Sequence, residues 1–192
     1  MTSLRLRFPY FWQRLIASCL LILCLFLLGT PPASAGINDD RFEGNVFVLY
    51  GGNGSLVPAK VTLEKSIAAG KPAILVYYLD DSSDCKQYAT VVSRLQAAYG
   101  RAANIIPVDV DTIPVKDNYT TTEAGYYYTG IVPQVVVLDK AGKVALSKQG
   151  QVPYEEVDDT LRKVFDLLPR SESVELKIRP VNEFSTELTG QK

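Results

Sequence analysis

One cysteine, Cys85, stands beside a run of oxygen-bearing side chains, Asp80-Asp81-Ser82-Ser83-Asp84. These are the residues of the chain best equipped for chemistry. A thiol attacks disulfides once it is ionised. Carboxylates hold hard cations, and a hydroxyl becomes a nucleophile when a base takes its proton. The chain has no histidine. Ser-His-Asp triads and histidine-ligated metal sites are therefore excluded, and a serine nucleophile here has no base. The acidic spacing matches no EF-hand loop, so the expectation is a solvated acidic turn with no metal and no cofactor. Ser82, Ser83 and Asp84 read as helix N-cap residues, worth about 1 kcal/mol. Cys85 has two readings. A helix N-terminus lowers a thiol pKa from about 8.5, which suits a functional monothiol. Three neighbouring carboxylates oppose ionisation, which suits a buried, inert cysteine.

The elements around this turn follow from pattern. Ala73–Leu79 is a continuous apolar run with β-branched and aromatic residues, as in a strand covered on both faces. Tyr88, Val92, Leu95 and Tyr99 recur at helical spacing after the turn. Upstream, Val46–Tyr50 reads as a short strand and Ala59–Ala69 as a short helix with Leu63 and Ile67 on one face. Downstream, Asn104–Asp111 is a second buried strand, although Pro107 is awkward in it. Thr112–Thr129 is polar and tyrosine-rich. Gln134–Leu138 and Lys143–Lys148 form a hairpin across Asp139-Lys-Ala-Gly142. Val157, Leu161, Val164 and Leu168 stripe a last helix that Pro169 stops. The opening strand, helix, strand order calls for a parallel pair.

Residues 1–35 read as an address. Arg5, Arg7 and Arg14 flank an apolar run, Leu15–Leu28, and Ala33-Ser34-Ala35 is a small-residue cleavage pattern. Cleavage after Ala35 is expected, the alternative being an uncleaved membrane anchor. Residues 36–58 are then an N-terminal extension with a strand, 59–169 the main domain, and 170–192 an extended or disordered tail. Three of the 20 basic residues and none of the 21 acidic ones lie in 1–35, which leaves a net charge of −4 beyond it. No basic stripe appears, so nucleic acid is not an expected partner. Cys19 and Cys24 also lie in 1–35, so Cys85 has no partner for an internal disulfide after cleavage.

Three landmarks in order resemble the thioredoxin-like fold: Lys71-Pro72 before a buried strand, Asp84-Cys85-Lys86 opening a helix, and Gly130-Ile-Val-Pro133 before a hairpin. The resemblance spans roughly 59–168. It implies an α/β fold with a central mixed sheet, a closing antiparallel hairpin and helices on both faces. It also implies a cis peptide bond before Pro133. The departures bear on function. Aligned on Asp84-Cys85-Lys86, the family's first redox cysteine falls on Ser82, its preceding aromatic residue on Asp81, and its buried acid on Val76. A serine cannot form the mixed disulfide.

More broadly the chain resembles a cyanobacterial group of exported thioredoxin-like proteins implicated in photosystem I accumulation at the thylakoid membrane. The shared features are the leader, the Asp81-Ser-Ser-x-Cys85 turn and the tail Asn182-Glu-Phe-x-Thr-Glu-Leu188. The resemblance implies a lumenal or periplasmic location with membrane association. It also implies protein partners, photosystem I subunits or assembly factors among them. Recognition would use a groove between Ser82, Ser83 and Asp84 and the Val132-Pro133 loop, since backbone pairing with an extended peptide needs no thiol. Tyr126, Tyr127 and Tyr128 would be further partner contacts, or else a helix packed on the sheet. The alternative function is monothiol redox or redox sensing by Cys85. The missing nucleophile yields a direct expectation. The protein should reduce insulin disulfides with dithiothreitol no faster than background, and turnover near that of a Cys-x-x-Cys thioredoxin would contradict it.

Overall fold

The computed structural model describes residues 10–29 and 36–173. Two compact units divide the chain, residues 1–35 and 36–192. In the first, helix α1 runs Tyr10–Gly29. Its largely apolar stretch, Leu15–Leu28, reaches about 21 Å at 1.5 Å per residue, against about 30 Å of bilayer hydrocarbon. Among the described residues no helix is long and apolar enough to cross a membrane.

The second unit is built on a four-stranded sheet. The elements run α2 (Val46–Leu49), α3 (Leu63–Ala68), β1 (Ala73–Tyr78), α4 (Ser83–Tyr99), β2 (Asn104–Asp109), β3 (Gln134–Leu138), β4 (Val144–Gln149) and α5 (Tyr154–Val164). The strand order is β2-β1-β3-β4. β1 and β2 are parallel across α4, whereas β3 lies antiparallel to both β1 and β4. This mixed sheet with a closing hairpin is the thioredoxin-like arrangement. Alternate strand residues feed two cores, as the period of two requires. Ile74, Val76, Tyr78, Val135 and Val137 pack with α2, α4 and α5. Leu75, Tyr77, Val136 and Leu138 pack with Leu63 of α3 and, more loosely, with Tyr127 and Tyr128. The stripe Tyr88, Val92, Leu95 and Tyr99 is buried in the first core as its spacing predicts.

Several sequence expectations are corrected. Val46–Leu49 is a helical turn, not a strand. Its apolar, β-branched residues suit a strand locally, but Asn45 Oδ1 accepts the Phe47 N–H at 3.1 Å and Asp80 Oδ1 accepts the Val46 N–H at 2.8 Å. Those two caps fix the turn. The parallel pair therefore forms around α4 rather than at the start of the chain. α3 begins at Leu63, where Thr62 caps it by accepting the Lys65 N–H. Pro107 fits because β2 pairs only with β1 and is an edge strand. α5 ends at Val164. Asp166 takes a positive φ of 54°, which breaks the helix before Leu168, and Leu168 is exposed. Arg170–Glu172 forms a short 3-10 turn, and the rest of the expected tail lies outside the described residues.

Lys86, in the first turn of α4, is wholly buried. Its ammonium donates to the carbonyls of Gly36 (3.2 Å), Asp39 (2.8 Å) and Arg41 (2.7 Å) and to Asp39 Oδ1 (3.3 Å). It also lies 5.5 Å from the Tyr50 ring centroid. A buried ammonium needs such a shell, because desolvation without partners is prohibitive. Residues 36–43 supply it and are thereby held against α4. Asn38 and Asp40 add hydrogen bonds from Gln87 (3.2 Å) and from the Ser83 N–H (2.8 Å). At the far end of α4, Tyr99 Oη donates to the buried Asp158 Oδ1, whose other oxygen takes Arg162 Nε at 2.8 Å.

Two outcomes are expected. Lys86→Met should destabilise the fold by about 3–5 kcal/mol, since it removes one side of a buried charge network; a denaturant midpoint within error of wild type would exclude this role. The second concerns acid. Asp39 is held down at about 2, chiefly by the Arg41 guanidinium. Asp40 is lowered by the Ser83 N–H, and Glu43 by the Tyr50 hydroxyl. Depressed carboxylate values stabilise the folded segment above their unfolded values near 4 and lose that effect as pH falls toward 2. Amide exchange corrected for intrinsic rates should show residues 36–44 losing protection between about pH 4 and 2 while β1 and β3 keep theirs. Unchanged protection of 36–44 across that window would refute the assignment.

Candidate functional site

The turn after β1 closes in a way its sequence only partly announces. Ser82 is the N-cap of α4, and its Oγ accepts the Cys85 N–H at 3.3 Å. Ser83 and Asp84 are not caps. They occupy the first turn of the helix, where the Ser83 N–H goes to Asp40 and Asp84 Oδ1 accepts from Gln151 Nε2 at 2.9 Å. The acidic turn is not wholly solvated either. Asp80 is half-buried and receives the Val46 N–H and the Asn45 amide. Burial raises its carboxyl pKa and the Val46 N–H partly offsets this. Asp81 and Asp84 are exposed. Among the described residues no group of His, Cys, Asp and Glu is placed to hold a metal ion.

Cys85 is 2% exposed and belongs to the core that contains Val76, Tyr88 and Val135. Its Sγ accepts the Leu79 N–H at 3.5 Å. Burial pushes the thiol pKa above its ordinary value. The nearby Asp84 and Asp80 push the same way, and hydrogen bonds to Ser82 and Leu79 offset only part of it. A thiol so placed is neutral and shielded, the opposite of a reactive cysteine. Val76 is buried in β1, so no acid occupies that core position.

The opposite loop is fixed by Gln134, which is fully buried. Its Oε1 accepts from the Thr129 N–H (3.0 Å) and hydroxyl (2.9 Å), while its Nε2 donates to the Tyr127 carbonyl at 2.7 Å. The Val132–Pro133 bond is cis, as expected, and a second cis bond, Val57–Pro58, was not expected. Pro133 is buried, Val132 half-buried and Ile131 exposed. Val132 packs against both cores, where it meets the cluster that holds Cys85. The tyrosines divide. Tyr127 and Tyr128 pack toward the sheet; Tyr128 stacks on Tyr77 at 5.4 Å, and Tyr127 Oη donates to the Thr121 carbonyl. Tyr126 remains 52% exposed, edge-on to Tyr127. Tyr126 and Tyr127 lie in a short 3-10 turn, Ala124–Tyr127, so the tyrosines expected to pack on the sheet do so from a turn and not from a longer helix, and only Tyr127 and Tyr128 do.

Lys86, Asp40, Gln134 and Gln151 shape this region, and sequence reasoning did not single them out. The available signal was weak: Lys86 follows Cys85 on the buried side of α4, opposite an extension rich in acids, Asp39, Asp40 and Glu43. Two open clefts among the described residues lie elsewhere. One is lined by Asp159, Arg162, Lys163, Leu167 and Arg170, and the other by Asp139, Ala145, Thr160, Lys163 and Val164.

No family model matches the chain. Among solved structures, it is similar to the germline-specific thioredoxin Deadhead of Drosophila melanogaster. That match is 24% identical, covers 52% of this chain and 88% of that one, and has a TM-score of 0.40. A second, described as a malarial protein, is 17% identical over 48% of this chain and 96% of its own, with a TM-score of 0.39. The relation to a curated protein is much nearer: 55% identity over 175 residues, covering 87% of each chain, with the thylakoid membrane protein slr1796 of Synechocystis sp.. On that identity and coverage, the chain belongs to the family of the thylakoid membrane protein slr1796.

Proposed function

We propose that this chain is a non-catalytic thioredoxin-like module that binds protein partners at the thylakoid membrane and supports the accumulation or assembly of photosystem I. The observation that carries the reading is the state of the turn. Cys85 is buried, and Ser82, at the position of the family's nucleophile, uses its oxygen as a helix cap. Sulfur chemistry needs an accessible thiolate, and this turn offers none. Peptide recognition by backbone pairing and shallow pockets makes no such demand. The proposed face joins Val132 and Pro133 to the exposed Ile131 and Tyr126, with Ser82, Ser83 and Asp84 as the facing wall. Exposed aromatic and aliphatic groups beside backbone are what a protein contact uses. The thylakoid relative supports the membrane setting. Export to the lumen or periplasm, with the N-terminal segment as leader or anchor, is part of the proposal.

The test separates groove from sulfur. In the folded protein, Cys85 should resist iodoacetamide at neutral pH and react fully only after unfolding. Cys85→Ala should cost on the order of 1 kcal/mol for the small cavity it leaves. In cells lacking the wild-type gene it should restore photosystem I content whenever the variant accumulates normally. Ile131→Asp together with Tyr126→Ala touches only exposed side chains and should impair restoration at equal protein level. If instead Cys85→Ala fails and the surface pair succeeds, the function lies on the thiol and the monothiol alternative stands.

A further inference from the structure

The backbone nitrogen of Gly36 faces carboxylates. It donates to Glu43 Oε1 at 2.9 Å. A Cβ added at Gly36 would fall 2.2 Å from Asp39 Oδ2, so the Asp39 carboxylate lies against the same residue. Asp39 is itself held by Arg41 Nη2 at 2.7 Å and by Lys86. The other oxygen of Glu43 takes the Tyr50 hydroxyl. Lys86 Nζ stands 4.0 Å from Glu43, outside hydrogen-bond distance. The hydrogen bonds to Glu43 thus come from an amide and a phenol, both neutral. Gly36 directly follows the Ala33-Ser34-Ala35 pattern, and the second compact unit begins at Gly36.

We propose that, once the cleavage expected after Ala35 has freed it, the α-ammonium of Gly36 docks on Glu43 as an ion pair that locks residues 36–43 onto α4. The inference rests on the leader pattern and is independent of the protein-binding reading above. An endopeptidase of the signal-peptidase class supplies the catalysis. One water adds across the bond: its hydroxyl goes to the Ala35 carbonyl carbon, the C–N bond breaks, and its remaining proton goes to the nitrogen. The new carboxyl group then loses a proton and the amine gains one, so charge balances. The neutral N–H···O contact becomes a charge-assisted one at the same nitrogen, about twice as strong. The Gly36 carbonyl is also an acceptor of the Lys86 ammonium, so fixing Gly36 fixes the start of the segment that covers the first turn of α4.

The charges that face the new ammonium are Glu43 and Asp39 in favour, and Lys86 and Arg41 against. Asp40 is engaged by Ser83, and Tyr50 stays protonated, its pKa pushed up to about 12 by the Glu43 carboxylate. Glu43 Oε1 is in direct contact with the nitrogen at 2.9 Å, so the carboxylates dominate. An α-amino group ordinarily titrates at about 7.7–8.0, and the ion pair raises that value. The added stability is therefore complete below about pH 7.7 and is lost as pH rises through the raised value.

The experiment takes the full chain in detergent micelles before and after incubation with a purified signal peptidase. Mass spectrometry reads the new N-terminus and thermal unfolding reads stability. Cutting between Ala35 and Gly36 is expected, with Tm rising by about 2–4 °C near pH 6.5 and the gain fading in alkaline solution. Glu43→Gln keeps an acceptor of the same shape but no charge, and should show no gain on cutting. Selective acetylation of the Gly36 amine should return the cut chain to the uncut Tm, which decides the matter even if the variant folds poorly. No cut, a cut at another bond, a cut without a gain, or a gain that survives acetylation would each overturn the proposal.

Discussion

Among the described residues one buried cation, Lys86, organises the second unit. Lys86 lies one residue beyond the cysteine at the start of α4, on the side that turns inward. An ammonium there is tolerated only when carbonyl and carboxylate oxygens replace its water. The backbone of residues 36–41 provides three carbonyls. An otherwise irregular extension is thereby pinned to the helix, and with it come Asp40 on the Ser83 N–H, Asn38 on Gln87, and the α2 turn capped by Asp80. The N-terminal extension is part of the fold because a charge in α4 requires it.

The same contacts close the turn around its thiol. A thioredoxin-like turn activates sulfur by aiming a helix N-terminus, with its unpaired N–H groups and partial positive charge, at an exposed thiol. Here the Ser83 N–H is taken by Asp40 and the Cys85 N–H by Ser82. The thiol lies in the core behind them with carboxylates nearby. Serine at position 82 and the extension over this helix end point the same way. Each removes a condition that thiolate chemistry needs, and together they leave a capped, packed turn.

Much of the fold was legible because its signals are local. β1 is a continuous apolar run and β3 is one from Val135 on, α4 carries a stripe at helical spacing, and the hairpin has an Asp-Lys-Ala-Gly turn between its strands. The failures share a physical cause. Val46–Leu49 has the side chains of a strand, and the Asn45 cap and the tertiary hydrogen bonds from its cap region to Asp80 and Tyr78 make it a helical turn. The Leu168 position keeps the period of α5, yet Asp166 leaves the helical region before it. Lys86 in a helix reads as solvated, because nothing within a few residues of it reveals that carbonyls some fifty positions upstream will surround it. Local pattern gives elements. It does not give the long-range polar contacts that decide which turn is open and which is closed.

α4 is therefore held at both ends by charge and along its length by apolar contact. At one end stands the Lys86 shell. At the other, Asp158 takes Tyr99 and Arg162, and Arg170 closes on it from beyond α5 at 3.4 Å. Burial raises the Asp158 carboxyl pKa, but the donors from Tyr99 and Arg162 outweigh that and keep it below its ordinary value, so it stays ionised and the cluster is an ion pair. A helix fixed in this way cannot readily slide or tilt to expose the thiol, since either motion would strip partners from one buried charge or the other. Release of the extension alone would unseat only the Lys86 end. Any partner that reads the turn must therefore either meet it with residues 36–43 in place or supply oxygens for Lys86 itself. The second route demands a matched set of acceptors at a desolvated site, and the first demands none. The covered turn, not an opened one, is on this reasoning the form in which the proposed partner-binding face is presented.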